Sequence, residues 1–181
     1  MATKHTLVAL VEDKPGVLNR MVSLFRRRGF NIESIAVGHS ETPGLSRVTL
    51  IVDGSSTMVE QVRKQLDKVI DVVKVSDLTD SELVNRELAL IKVKANSSTR
   101  SEIMQIVDIF RANIVDVGLD SLTVEVTGDE DKINSLYNLL RGFGIKEFAR
   151  TGRIAMVRGG AAPLPVVKET PKKGDQKEEP E

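Results

Sequence analysis

The chain has 181 residues and carries 26 basic and 26 acidic side chains, so its formal net charge is zero. Nucleic-acid binding needs a basic surplus that displaces counterions, and we therefore expect no nucleic-acid partner. Cysteine is absent, which excludes disulfides, thiolate catalysis and thiolate metal sites and fits a reducing compartment. No apolar run approaches the roughly 20 residues of a spanning helix, and the N-terminus lacks a signal-peptide pattern. We expect a cytoplasmic protein without a membrane partner.

Few residues in the chain could support catalysis. The two histidines, His5 and His39, lie in different segments, and neither has a metal-ligating partner at a typical spacing. We interpret both as surface residues. No nucleophile–base pair and no metal site is predicted, so the composition indicates a non-catalytic protein.

The first 80 residues alternate strand and helix signals. Asp13 as N-cap and Pro15 in the first turn predict the start of a helix, and Gly29 is a natural residue to end it. Thr57 and Glu60 have the spacing of a capping box for a second helix. Strands are predicted over 6–11, 32–37, 47–52 and 72–75, and helices over 17–28 and 59–69. The order is βαββαβ.

The same order returns in the second half of the chain. Thr99 and Glu102 have capping-box spacing, and Asp129 is a natural N-cap for the last helix. Strands are predicted over 88–93, 114–117, 122–126 and 154–157, and helices over 103–110 and 133–140. The chain therefore contains two βαββαβ units of about 75 residues each.

Each unit is predicted to form a four-stranded antiparallel sheet with two helices on one face, a ferredoxin-like α+β fold. The helix-free face of such a sheet would need a partner to cover it, which predicts oligomerisation. Four of the six prolines fall in the last 19 residues among charged residues, and such a segment buries too little apolar surface to order itself. We predict domains over 1–80 and 81–160 and a disordered tail over 161–181. A partner-binding tail is the alternative.

Specific motifs add a family resemblance. The segment Val11 to Leu18 contains D-x-P-G-x-L, which resembles the ligand loop of ACT domains, small-molecule sensors of this topology. Longer stretches resemble the small, regulatory subunit of acetolactate synthase (acetohydroxyacid synthase), and this resemblance covers residues 3–159. It is carried by R-R-G-F-N-I-E-S-I (27–35), L-S-R-V-T-L (45–50), V-E-Q-V-R-K-Q-L-D-K-V-I-D-V-V-K-V (59–75), R-E-L-A-L-I-K-V (86–93), I-F-R-A-N-I-V-D-V (109–117) and A-R-T-G-R-I-A-M-V-R-G (149–159).

The resemblance implies a non-catalytic subunit that binds the thiamine-diphosphate-dependent catalytic subunit, raises its activity and confers feedback inhibition by valine. That enzyme joins pyruvate to pyruvate or 2-oxobutyrate at the head of valine, leucine and isoleucine synthesis. We expect no cofactor in this chain and expect thiamine diphosphate, Mg²⁺ and FAD on the catalytic subunit. The N-terminal ACT domains are expected to form a homodimer by extending one sheet across a two-fold axis. The alternative is a stand-alone ACT-type amino-acid sensor that regulates another enzyme.

An amino-acid sensor must neutralise a carboxylate and an ammonium and must house a side chain. The N–H groups of a helix N-terminus suit the carboxylate, and Gly16 allows the backbone a close approach. Asp13 or the Asn31 carbonyl oxygen could accept from the ammonium. The candidate valine site comprises Asp13, Lys14, Pro15, Gly16, Val17, Leu18, Asn31 and Ile32. By the resemblance, Asn31 and Ile32 act from the neighbouring subunit and complete a site at the dimer interface.

Structural interpretations of the same residues stay open. Asp13 could serve only as a helix cap, Gly16 only as a turn glycine, and Asn31 only in local hydrogen bonding. Several relatives have Asn at the position of Asp13 and a residue other than proline at that of Pro15, so Asp13 could alter ligand affinity or attract a cation. The basic run 26–28 is interpreted as a helix C-terminus that complements the helix dipole.

Overall fold

The computed structural model describes residues 3–159. Its elements confirm the predicted α+β fold with two βαββαβ units, and the predicted tail lies outside the described residues. The first unit comprises β1 (Thr3–Glu12), α1 (Val17–Arg27), β2 (Ile32–His39), β3 (Leu45–Gly54), α2 (Ser56–Leu66) and β4 (Val72–Asp77). The second comprises β5 (Leu83–Lys94), α3 (Arg100–Ile109), β6 (Asn113–Val117), β7 (Ser121–Gly128), α4 (Glu130–Arg141), β8 (Ile145–Arg150) and β9 (Ile154–Val157).

Both sheets have the ferredoxin-like strand order. The first sheet is ordered β2-β3-β1-β4 and the second β6-β7-β5-β8, and every pairing is antiparallel. Alternate residues of the central strands point toward the helices, because side chains alternate across a strand. The two cores include Leu7, Ala9, Phe25, Val48, Leu50 and Leu66 in the first unit and Ala89, Ile91, Ile103, Val124, Ile133 and Leu140 in the second.

The end of α1 confirms the predicted role of Gly29. Gly29 has φ of +70°, its N–H bonds to Arg26 O at 3.2 Å, and Phe30 N–H bonds to Phe25 O at 3.0 Å. This pair of bonds is a Schellman motif, in which glycine adopts the left-handed conformation at lowest cost. The rings of Phe25 and Phe30 meet edge to face with centroids 6.4 Å apart.

The helix starts correct two of the sequence predictions. Helix α2 is capped by Ser55, whose hydroxyl accepts from Met58 N, so the predicted capping box of Thr57 and Glu60 is wrong. Two serines precede Thr57, and the helix begins at the earlier available cap.

Helix α3 does begin after Thr99, but the Thr99 side chain makes no capping bond to the helix, so its predicted box with Glu102 is also wrong. The Thr99 hydroxyl accepts instead from Asn96 N at 3.0 Å. Asp129 caps α4 as predicted, and its carboxylate accepts from Lys132 N at 2.9 Å.

The last strands differ from the sequence prediction. The fourth strand of the second sheet is β8, which was not predicted because half of its six residues are charged and its apolar pattern is weak. The predicted strand 154–157 exists as β9, but its interpretation as the fourth strand is wrong. Strand β9 pairs with Leu83–Arg86, the beginning of β5, outside the main strand order.

The helix-free face of the first sheet is covered from within the chain. Four side chains at the centre of that face are at most 2% exposed: Val8, Leu10, Thr49 and Ile51. Strand β9 lies against this face, since Arg47 of β3 donates to Ala155 O at 2.7 Å and Ala155 is itself buried. The expectation that this face requires an oligomeric partner is therefore wrong for the first unit.

No helix within residues 3–159 combines the length and apolar character that a membrane crossing requires.

Candidate functional site

A tight turn, and not an Asp13 cap, leads into α1. Lys14 O accepts from Val17 N at 3.4 Å, and Gly16 has φ of +88° and ψ of −12°. These values define a type II turn with Pro15 and Gly16 at its two central positions, the residues that such turns favour. Asp13 lies before the turn, so its predicted role as N-cap is wrong. The Pro-Gly pair was the signal that could have shown this.

The N-terminus of α1 is open. Gly16 occupies the N-cap position, and no side chain caps the helix. Arg20 N–H is bonded to Gly16 O at 3.0 Å, and the preceding N–H groups of Leu18 and Asn19 belong to the unpaired first turn. A Cβ built on Gly16 meets no atom within 4 Å. The helix dipole and these N–H groups together favour an anion in this space.

Charged side chains surround the turn. Asp13 is half exposed, and its carboxylate lies 3.3 Å from Nδ1 of His39 at the end of β2. Lys14 pairs with Glu12 at 2.6 Å, and this hydrogen bond to the carboxylate raises the pKa of the Lys14 ammonium. His39 is exposed, as predicted, whereas His5 of β1 is 4% exposed, so its interpretation as a surface residue is wrong. The neighbour of His39, Asp13, is distant in sequence, so only the tertiary fold brings His39 to the site.

The apolar candidates divide into two kinds. Val17 is 2% exposed and belongs to the core of the first unit, so its side chain fixes α1 and does not line the open surface. Leu18 is 41% exposed beside the turn. Pro15 and Lys14 are exposed on the turn itself.

Asn31 and Ile32 lie at the other end of α1 from Gly16. The helix has 11 residues and so separates its two ends by about 16 Å. Asn31 is exposed, and Ile32 packs at the margin of the first core. One chain thus brings together residues 13–18 but does not bring Asn31 to them.

Hydrogen bonds to Asn96 order the equivalent loop of the second unit. The side-chain oxygen of Asn96 accepts from the N–H groups of Ser98 and Thr99, each at 3.0 Å. Arg100 N–H bonds to Asn96 O at 3.0 Å. Helix α3 also has no side-chain cap, so the two units differ at the N-cap residue itself, where Thr99 with φ of −101° stands in place of Gly16. Residues 3–159 also contain no cluster of three or more His, Asp or Glu suited to a metal ion.

The βαββαβ fold of the first unit, with a glycine turn before its first helix, is the arrangement of an ACT-type domain. Residues 7–74 match the family described as AHAS small subunit-like ACT domain, and residues 86–159 match the family described as the small subunit of acetolactate synthase. The chain belongs to the acetolactate synthase small-subunit family, in agreement with the sequence resemblance.

Individual relatives agree with this assignment. The chain is 58% identical over 156 residues to the probable acetolactate synthase small subunit of Archaeoglobus fulgidus, covering 86% of this chain and 98% of the relative. It is 51% identical over 155 residues to the acetolactate synthase small subunit of Mycobacterium bovis, covering 86% and 92%. The crystal structure of the small subunit from Thermotoga maritima has a TM-score of 0.81 at 44% identity and covers 88% of this chain and 99% of that one.

Proposed function

We propose that the chain is a non-catalytic regulatory subunit that binds the catalytic subunit of acetolactate synthase, raises its activity and confers feedback inhibition by valine. The observation that carries this proposal is the uncapped N-terminus of α1 behind the turn at Gly16. Membership of the small-subunit family supplies the enzyme that is regulated. Thiamine diphosphate, Mg²⁺ and FAD are assigned to the catalytic subunit, and no cofactor to this chain.

The turn offers a place for each end of a free amino acid. The valine carboxylate would accept from the N–H groups at the start of α1, where the helix dipole also favours a negative charge. The Asp13 carboxylate is within reach of an ammonium bound beside the turn. Leu18 presents the exposed apolar surface that an isopropyl group would contact.

A second copy of the chain would complete the site. Strand β2 is an edge strand of the first sheet, and apolar side chains beside this edge are 39–46% exposed: Leu18, Val22, Ile35 and Val37. A two-fold axis through the middle of β2 would pair it antiparallel with its copy, burying this apolar surface and satisfying the unpaired edge.

That pairing also explains the separation of Asn31 from Gly16. In an antiparallel pair, the beginning of one β2 lies beside the end of the other. His39 ends β2 and touches Asp13. Asn31 and Ile32 of the second copy would therefore arrive next to the Asp13 turn, where the Asn31 carbonyl oxygen could accept from the valine ammonium.

A shared site supplies a mechanism for regulation. Valine shifts the enzyme toward an inhibited state only if it binds one subunit arrangement more tightly than another. When two chains contribute to one site, the affinity for valine depends on how those chains are placed. Bound valine then favours the arrangement in which the site is complete.

Reconstitution tests the proposal and separates it from a stand-alone sensor. Acetolactate formation is measured with the catalytic subunit alone, with the chain added, and with the chain and valine. We expect the chain to raise the rate and valine to lower it again. A chain that binds valine but leaves the rate of the catalytic subunit unchanged would favour the sensor of another enzyme and contradict the proposal.

A further inference from the structure

Residues 151–153, here called the docking segment, connect β8 to β9 and are held by the second unit. Thr151 exchanges two bonds with Leu88 of β5: its N–H donates to Leu88 O at 2.9 Å, and its hydroxyl accepts from Leu88 N at 3.0 Å. This double contact fixes the start of the docking segment to the central strand of the second sheet.

The rest of the docking segment lies on β2 of the first unit. Arg153 N–H donates to the hydroxyl of Ser34 at 2.8 Å. Gly152 approaches the Ile35 carbonyl so closely that a Cβ at Gly152 would lie 2.0 Å from Ile35 O. Only glycine fits such a backbone-to-backbone approach without displacement.

A network of ion pairs surrounds this contact. The Glu87 carboxylate is 5% exposed and is bound by Arg150 and by Arg153, the latter at 3.1 Å. Arg153 also binds Glu130 of α4 at 2.6 Å. A buried carboxylate is costly unless it is paired, so Glu87 holds both arginines in place.

A second ionic contact joins β2 to α4. Lys4 binds Glu33 of β2 at 2.6 Å and Glu130 at 3.4 Å. The short link after β4 contacts a different strand, since Leu78 N–H donates to Thr6 O of β1 at 2.8 Å. Within residues 3–159, the hydrogen bonds and ion pairs that link the second unit to β2 run through the docking segment and through Lys4 beside it.

We infer that the docking segment couples the amino-acid site to the second unit through β2. The inference rests on the proposed function, because β2 begins at Ile32 of the candidate site and ends at His39 beside Asp13. Ser34 and Ile35 lie between these two ends. A ligand that fixes both ends of the strand changes the free energy of the contact in its middle, and coupling of this kind requires such a shared element.

Two substitutions that weaken this contact test the inference in the full chain. Gly152→Ala forces the docking segment away from Ile35 O. Ser34→Ala removes the acceptor of Arg153 N–H with little change of shape. If Gly152→Ala does not fold, Ser34→Ala alone tests the inference. Gly142→Ala is the matched control, because Gly142 has ordinary helical φ and its added Cβ would lie 3.8 Å from the nearest atom.

Valine binding is measured by calorimetry on the chain, and valine inhibition is measured on the enzyme reconstituted with the catalytic subunit. We expect both test variants to bind valine within about threefold of the unmodified affinity and to lose at least about half of the maximal inhibition. Gly142→Ala retains both properties.

Full inhibition in both variants would overturn the coupling role, and so would loss of valine binding in both, which would place the segment in the binding site itself. If the unmodified chain neither binds valine nor confers inhibition, the proposed function fails, and the inference fails with it. Measurements on the unmodified chain alone distinguish failure of the proposed function from failure of the coupling role.

Discussion

Gly16 combines a conformational requirement with an open position in front of α1. Its φ of +88° disfavours any residue with a Cβ, whereas the surrounding space would admit one. A side chain at this position would therefore occupy the space proposed for the valine carboxylate. These two effects of substitution can be separated, since asparagine tolerates the left-handed conformation and has the shape of aspartate without its charge.

We predict that Gly16→Asp weakens valine binding about a hundredfold, corresponding to about 3 kcal/mol, because two carboxylates would meet at one helix end. Gly16→Asn is the matched control and is expected to weaken binding distinctly less. Calorimetry on both variants gives the difference due to charge. Equal affinities for the two variants would show that no carboxylate binds there.

We predict that Asn31→Ala weakens valine binding by about 1–3 kcal/mol, since it removes a buried hydrogen-bond partner of the ligand. Asn113→Ala is the control, because Asn113 precedes Ile114 as Asn31 precedes Ile32 in the repeat but lies in the unit whose first helix has no glycine turn before it. Valine titration of both variants is the measurement. A similar loss for Asn113→Ala would contradict the assignment of the site to the first unit.

The residues of the turn were found from sequence, but their roles were only partly predictable. The motif D-x-P-G-x-L located the open helix end, because Pro-Gly and the following apolar spacing are local signals. Asp is a good N-cap and so predicts a cap at position 13, but the type II turn places Gly16 at the N-cap position. His39 has no local signal, as its contact with Asp13 depends on how β2 is placed in the sheet.

The order of helices and strands was predictable from apolar spacing, whereas the pairing of the strands was not. Strand β8 lies at a sheet edge and is largely exposed, so it lacks the alternation that identifies half-buried strands. Strand β9 is a continuous apolar run, which predicts a strand, but it pairs outside the main order. Its position depends on contacts with the first unit that no local pattern encodes.

The assigned helix caps can be tested by unfolding measurements. Asp129→Ala is expected to lower the free energy of unfolding by about 1 kcal/mol, because it removes the acceptor for Lys132 N at the start of α4. Thr57→Ala, which alters the capping box that α2 does not use, is expected to change it by less than about 0.5 kcal/mol. Urea unfolding of both variants measures the difference, and a larger loss for Thr57→Ala would contradict the assigned caps.

For the whole molecule, the sequence indicated two units but not how they meet. A helix-free sheet face was predicted to need an oligomeric partner, and the chain covers that face of its first unit with β9. The contact between the units includes single long-range hydrogen bonds, such as that of Arg153 to Ser34, which no periodic pattern in the sequence predicts.

The ion pairs of Glu130 predict a response to acid. Burial opposes ionisation of Glu130, but its bonds to Arg153 and Lys4 outweigh burial and hold the pKa of Glu130 below its ordinary value of 4.5. A lowered pKa adds stability above about pH 4.5, and this stability is lost as the pH falls through the folded-state pKa. We therefore predict that unfolding becomes easier as the pH falls below about 4.5.

Glu130→Gln is expected to show a shallower decline over this range in urea unfolding. Asp131→Asn is the matched control, because Asp131 lies in the same helical turn and makes no ion pair within residues 3–159. Identical pH slopes for Glu130→Gln and the unmodified chain would show that these bonds add no stability.

The mixed dimer tests the shared valine site most directly. Chains carrying Gly16→Asp and chains carrying Asn31→Ala are each expected to give an active, valine-resistant enzyme with the catalytic subunit. In a dimer of one chain of each kind, a shared site places both substitutions in one site and leaves the other unmodified. We predict that partial valine inhibition returns when the mixed dimer, isolated through two different tags, is reconstituted. If Gly16 and Asn31 served a site within one chain, each site would carry one substitution, and a mixed dimer as resistant as its two parents would contradict the account.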